Sequence, residues 1–89
     1  MSNPTQDDNK EPTREEILNT SLKAREQEVM HYQINIDNYT IALEEIDSLP
    51  PQERAEMTAF ANQLAELLAS EKLEQKKAKI MLAVVKKQL

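Results

Sequence analysis

In the first half of the chain, apolar residues recur at alternating steps of four and three. The series is Leu18, Leu22, Arg25, Val29, Tyr32, Ile36, Tyr39, Leu43 and Ile46, in which Arg25 is the one member neither apolar nor tyrosine. A repeat of this kind, held for about four heptads, is the seam of a helix that packs lengthwise on a partner. The second half carries a matching series: Met57, Ala61, Leu64, Leu68, Glu71, Gln75, Ala78, Leu82, Val85 and Leu89, with Phe60 and Leu67 widening the same face. Between the two series stands SLPPQER, residues 48–54. A residue before proline is pushed out of the α region, so the first helix must end near Ser48 or Leu49, and Pro51 suits the first position of a second helix.

Thr13 with Glu16 three residues on forms a capping-box pattern at the start of the first helix. The prediction is therefore a helix over 13–48, a Pro-Pro turn at 49–51 and a helix over 51–88. Each helix would be about 55 Å long. A turn this short makes them antiparallel neighbours. Residues 1–12, polar and without periodicity, are expected to form a disordered tail.

The stretch MHYQINIDNYTI, residues 30–41, alternates like a half-buried strand over its first seven residues. No second strand-like segment exists to pair with it, and one strand cannot stand alone. Helical geometry accounts for it differently. At 100° per residue, Tyr32, Ile36 and Tyr39 lie on the seam, while Met30, Ile34 and Ile41 lie roughly opposite. Leu73, Ile80 and Val84 are opposite the seam of the second helix in the same way. A two-helix hairpin buries one side of each helix and leaves these outer stripes wet, which soluble monomers seldom tolerate. The expected fold is all-α: a long, coiled-coil-like antiparallel hairpin that dimerises, in the simplest case completing a four-helix bundle.

Folding the chain at Pro50 sets Arg25 level with Glu71, Glu74 and Gln75. The expectation is a polar layer in the seam that fixes register, since a single polar seam position commonly does so at some cost in stability. A charged ligand pocket is the alternative.

Composition narrows the chemistry. The 89 residues contain no glycine and no cysteine. Phosphate-cradling loops and nucleophile elbows need glycine for φ > 0 or for close backbone approach, so nucleotide binding of those kinds is excluded. Without cysteine there is no disulfide, no thiolate nucleophile and no thiolate metal ligand. No apolar run reaches a membrane span and the N-terminus lacks a signal-peptide core, so the expectation is a cytoplasmic protein.

The net charge is −5. Thr13–Ser48 holds eight acids and three bases, whereas Leu49–Leu89 holds five acids and seven bases. This asymmetry favours laying one half against the other, or against the same half of another copy.

His31 is the only histidine. Glu28, three residues before it, makes one Glu-x-x-His, the ligand spacing of di-iron carboxylate bundles. The pattern is short, and His31 points to a flank of the seam, so an exposed histidine is the favoured reading and no cofactor is expected. Glu15-Glu16 and Glu44-Glu45 are adjacent residues that diverge on a helix and do not form a catalytic pair. Tyr32 and Tyr39 read as seam aromatics, with base stacking or ligand contact as the sharper option. Lys72, Lys76 and Lys79, with Lys86, share a helix face that can meet phosphates, although groove readers usually carry a stronger basic bias.

The function expected from the sequence is a non-enzymatic interaction module, a small regulator, adaptor or inhibitor acting as a homo-oligomer with a further protein partner. Two alternatives stand: a nucleic-acid-binding dimer using the lysine face, and a small-ligand binder at an oligomer interface.

Overall fold

The computed structural model describes residues 11–89. The expected tail, apart from Glu11 and Pro12, lies outside them. Helix α1 runs Arg14–Asp47, α2 runs Pro51–Glu56 and α3 runs Thr58–Lys86. Among the described residues there is no strand, and α1 packs along α3 as a hairpin. MHYQINIDNYTI lies wholly inside α1.

Thr13 caps α1 reciprocally. Its Oγ1 accepts the Glu16 backbone N–H at 3.1 Å, and its own N–H donates to Glu16 Oε1 at 2.8 Å. Two of the free donors of the first turn are thereby satisfied. At the other end, Ser48 stays in the right-handed region and its Oγ donates to the Glu44 carbonyl at 2.9 Å. Helices commonly end on a left-handed residue, usually glycine. This chain has none and uses no positive φ among the described residues. The reversal is instead built from extended Pro50 (φ −56°, ψ 152°) and the short helix α2, held by Arg54 Nη1 donating to the Asp47 carbonyl at 3.3 Å.

The second helix was expected to be continuous from Pro51, but it breaks at Met57 (φ −96°, ψ 7°). Here the Thr58 hydroxyl donates to the Ala55 carbonyl at 2.8 Å, and the Met57 N–H tightens onto the Arg54 carbonyl at 3.0 Å. Side-chain and i→i−3 bonds of this kind compete with the α ladder. The consequence reaches the seam. Every residue from Pro51 to Phe60 is exposed, so Met57 and Phe60, expected in the seam, lie outside it, and Ala61 is the first half-buried residue of α3.

The seam itself is narrow. Ile36, Leu64, Ala78 and Val85 are its buried apolar residues. Leu18, Leu22, Val29, Tyr32, Tyr39, Leu43, Ile46, Leu68 and Leu82 are half-buried beside them. No side chain among the described residues is fully enclosed. Two helices present only one contact line to each other, which is why the core has no centre.

Three cross-helix hydrogen bonds set the register. Gln75 Nε2 donates to Gln33 Oε1 at 2.8 Å and to the Val29 carbonyl at 3.3 Å, and Asn35 Nδ2 donates to Glu71 Oε1. Counting outward equally along both helices from these pairs sets Arg25 level with about residue 81, near Met81. The expected grouping of Arg25 with Glu71, Glu74 and Gln75 therefore does not form. Arg25 pairs with Glu28 on its own helix at 3.2 Å, and Glu74 pairs with Lys77 at 3.0 Å. The shift arises because α2 and the Met57 break take nearly two turns out of the seam, so that pairing begins further along the second helix.

Candidate interaction surfaces

With the register known, each long helix presents a seam, two flanks about a quarter-turn from it, and an outer edge. On α1 the outer edge carries Met30, Ile34 and Ile41, which are 59%, 50% and 54% exposed. On α3 it carries Leu73, Ile80 and Val84, which are 53%, 63% and 43% exposed. The two stripes face away from each other across the width of the hairpin. Helical periodicity alone places them there, since 100° per residue fixes what lies opposite a known seam.

The flanks differ in character. Helical spacing puts Lys72, Lys79 and Lys86 on the flank shared with the Gln33–Gln75 pair. Glu26 lies level with Lys79 on that same flank. The other flank holds the Asn35–Glu71 bond and three exposed apolar residues of α3, namely Phe60, Leu67 and Met81. Sequence reasoning assigned Phe60 and Leu67 to the seam and did not single out Met81. Gln33 and Asn35 were missed as well. The signal that could have found them is Gln75 itself, because an amide in a seam needs amide or carbonyl partners on the facing helix.

Charge divides along the same lines. Between Glu26 and Asp47, α1 holds six acids and no lysine or arginine. Between Lys72 and Leu89 there are six lysines and a single acid, Glu74. Among the described residues the ion pairs are Arg25–Glu28 and Glu74–Lys77, so Lys72, Lys76, Lys79 and Lys86 stand without a carboxylate at ion-pair distance.

Two open clefts flank the seam ends. One, of about 540 Å³, sits beside the turn between Thr40, Leu43 and Glu44 of α1 and Thr58, Ala61 and Asn62, with Arg54 and Asp47 at its rim. The other, of about 600 Å³, lies at the open end between Arg14, Glu15, Leu18, Asn19, Gln88 and Leu89, where Arg14 Nη2 donates to Gln88 Oε1 at 2.9 Å. Neither gathers convergent titratable side chains of the kind that acid–base chemistry requires.

The Glu-x-x-His pattern is not assembled into a ligand set. Glu28 is engaged by Arg25, and His31 is exposed with its ring edge toward Tyr32, the centroids being 6.3 Å apart. Among the described residues no group of three or more histidine, aspartate or glutamate side chains is placed to hold a metal ion. Nor is any helix long and apolar enough to cross a membrane. Tyr32 and Tyr39 are half-buried along the seam.

Comparison with known proteins adds no relative: no family model, no curated protein and no solved structure matches the chain.

Proposed function

We propose that this protein is a non-enzymatic protein–protein interaction module, a small regulator, adaptor or inhibitor that acts as a helical homo-oligomer. The observation that carries this reading is the six-residue apolar double stripe. Met30, Ile34 and Ile41 on one edge and Leu73, Ile80 and Val84 on the other are between 43% and 63% exposed. Three large apolar side chains on each long helix could have been spent on the core, yet these face water. Isolated hairpins are weakly held by a core this thin, and apolar surface of this extent marks contact sites.

A two-fold dimer completing a four-helix bundle would close on a flank, because each helix in a bundle meets two neighbours about a quarter-turn apart. The flank bearing Phe60, Leu67 and Met81 is the apolar one and would serve. A bundle closed in that way leaves the outer-edge stripes for a second protein; a contact between copies on the stripes themselves is the competing arrangement.

The test is the mass in solution, measured by light scattering across a concentration series. The proposal requires at least twice the 10.2 kDa of the chain. A helical species that stays at 10.2 kDa at every concentration overturns the homo-oligomer.

One observation supports a second reading. Lys72, Lys79 and Lys86 share a flank without carboxylate partners, as a phosphate-binding face would. Glu26 on the same flank and the net charge of −5 weigh against it.

A further inference from the structure

We infer that copies of this chain join edge to edge, the acidic outer edge of α1 on one copy against the basic outer edge of α3 on the next. This rests on the homo-oligomer reading above and takes the outer-edge stripes, not the flank, as the contact between copies. Along the stripes the two edges are alike in apolar content and opposite in charge, Lys23 and Glu66, seven residues before each stripe, being the exception on each edge. On α1, helical spacing sets Asp37, Glu44 and Glu45 around Met30, Ile34 and Ile41. On α3, it sets Lys76, Lys77 and Lys87 around Leu73, Ile80 and Val84. Each stripe spans the same eleven-residue step, from Met30 to Ile41 and from Leu73 to Val84, which is about 16 Å of helix. Two strips of equal length can therefore lie along each other with apolar residues inside and opposite charges at the rims.

Like-edge pairing is the competitor, and charge decides against it. A two-fold contact of α1 on α1 would lay the strip bearing Asp37, Glu44 and Glu45 against a second acidic strip. A two-fold contact of α3 on α3 would do the same with lysines. Like charges juxtaposed across an interface disfavour the pairing, whereas unlike charges steer and register it. Because the two edges lie on opposite sides of one hairpin, pairing unlike edges uses different surfaces on the two copies. Such a contact is heterologous: it grows into an open row, or into a ring if the rotation closes. It does not stop at two.

The experiment uses two double variants of the full chain, chosen at exposed positions and with a good helix former as replacement. Met30→Gln with Ile34→Gln blanks the α1 edge, and Ile80→Gln with Val84→Gln blanks the α3 edge. Helicity by circular dichroism checks that each still folds. Unlike-edge pairing predicts that each variant alone is a 10.2 kDa monomer and that a one-to-one mixture gives a dimer and nothing larger, because one intact edge of each kind remains. The wild-type assembly should also shrink as salt rises, since its rims are solvent-exposed ion pairs.

If one variant alone keeps the wild-type mass while the other dissociates, the contact is between like edges. If both keep it, the contact is on a flank. If both are monomers but the mixture is too, the edges do not recognise each other. Any of these three overturns the inference and leaves the homo-oligomer standing. A wild-type chain that is monomeric throughout overturns both.

Discussion

Gln75 donates across the hairpin to Gln33 at 2.8 Å, and through the same nitrogen to the Val29 carbonyl at 3.3 Å. It is the buried polar residue of a seam that is otherwise apolar or half-exposed. A glutamate there would keep the shape and lose the donor, aiming a carboxylate at two acceptors. Leaving such a group buried without a partner costs about 1–3 kcal/mol. Gln75→Glu should therefore lower stability to urea at pH 7 by that amount. Burial would raise the new carboxyl's pKa on folding, so the loss is complete above the raised value and disappears below the unfolded one. Equal urea midpoints for variant and wild type at pH 7 would contradict the assigned partners.

The Thr13–Glu16 cap makes a pH prediction of the opposite sign. The Thr13 backbone N–H, and secondarily its hydroxyl, hold the Glu16 carboxyl below its ordinary range. A carboxylate whose pKa falls on folding stabilises the fold above its unfolded pKa, and this contribution is lost as pH drops through the lowered value. Acid titration of helicity should show α1 fraying first at its N-terminus, and Glu16→Ala should remove that step. Thr13→Ala should cost about 1 kcal/mol, the usual worth of a threonine cap. An identical acid profile for Glu16→Ala would show that the cap does not contribute.

Leu64 and Ile41 offer a paired test of what is inside. Leu64 is 6% exposed in the seam, and Ile41 is 54% exposed on the outer edge. Leu64→Ala should cost about 2–4 kcal/mol at any protein concentration. Ile41→Ala should cost about 0.5 kcal/mol or less where the chain is dilute, as surface substitutions do. At concentrations that favour assembly its cost should grow, because a bound copy covers the edge. A cost for Ile41→Ala that ignores concentration would remove the edge as a contact.

The lysine flank is tested by salt. If Lys72, Lys79 and Lys86 on this flank, with Lys76 between it and the outer edge, meet phosphates, affinity for RNA or DNA falls steeply with salt, and Lys72→Gln with Lys79→Gln lowers the slope by about two. No mobility shift of either nucleic acid at low salt would exclude that reading.

Several features were legible in the residues. The four–three repeat from Leu18 to Ile46 makes α1 a long helix, and Thr13 with Glu16 marks its start. Pro50 and Pro51 mark the reversal, and the helical period puts Met30, Ile34 and Ile41 opposite the seam. All of these are local: each follows from dihedral limits or from the angle between successive side chains.

What sits across from what is not local. The sequence placed Arg25 beside Glu71, Glu74 and Gln75, and only the tertiary structure, with its break at Met57, moved that level two turns along. A hydroxyl of Thr58 competing for one carbonyl is a small energy, and no periodicity announces it. Its effect is large because two straight helices convert any offset at the turn into the same offset along their whole contact. The sequence by itself determined the helices and their apolar faces, since those depend on neighbours in the chain. The register and the Gln33–Gln75 and Asn35–Glu71 pairs were decided by packing, which alone brings distant residues to one level.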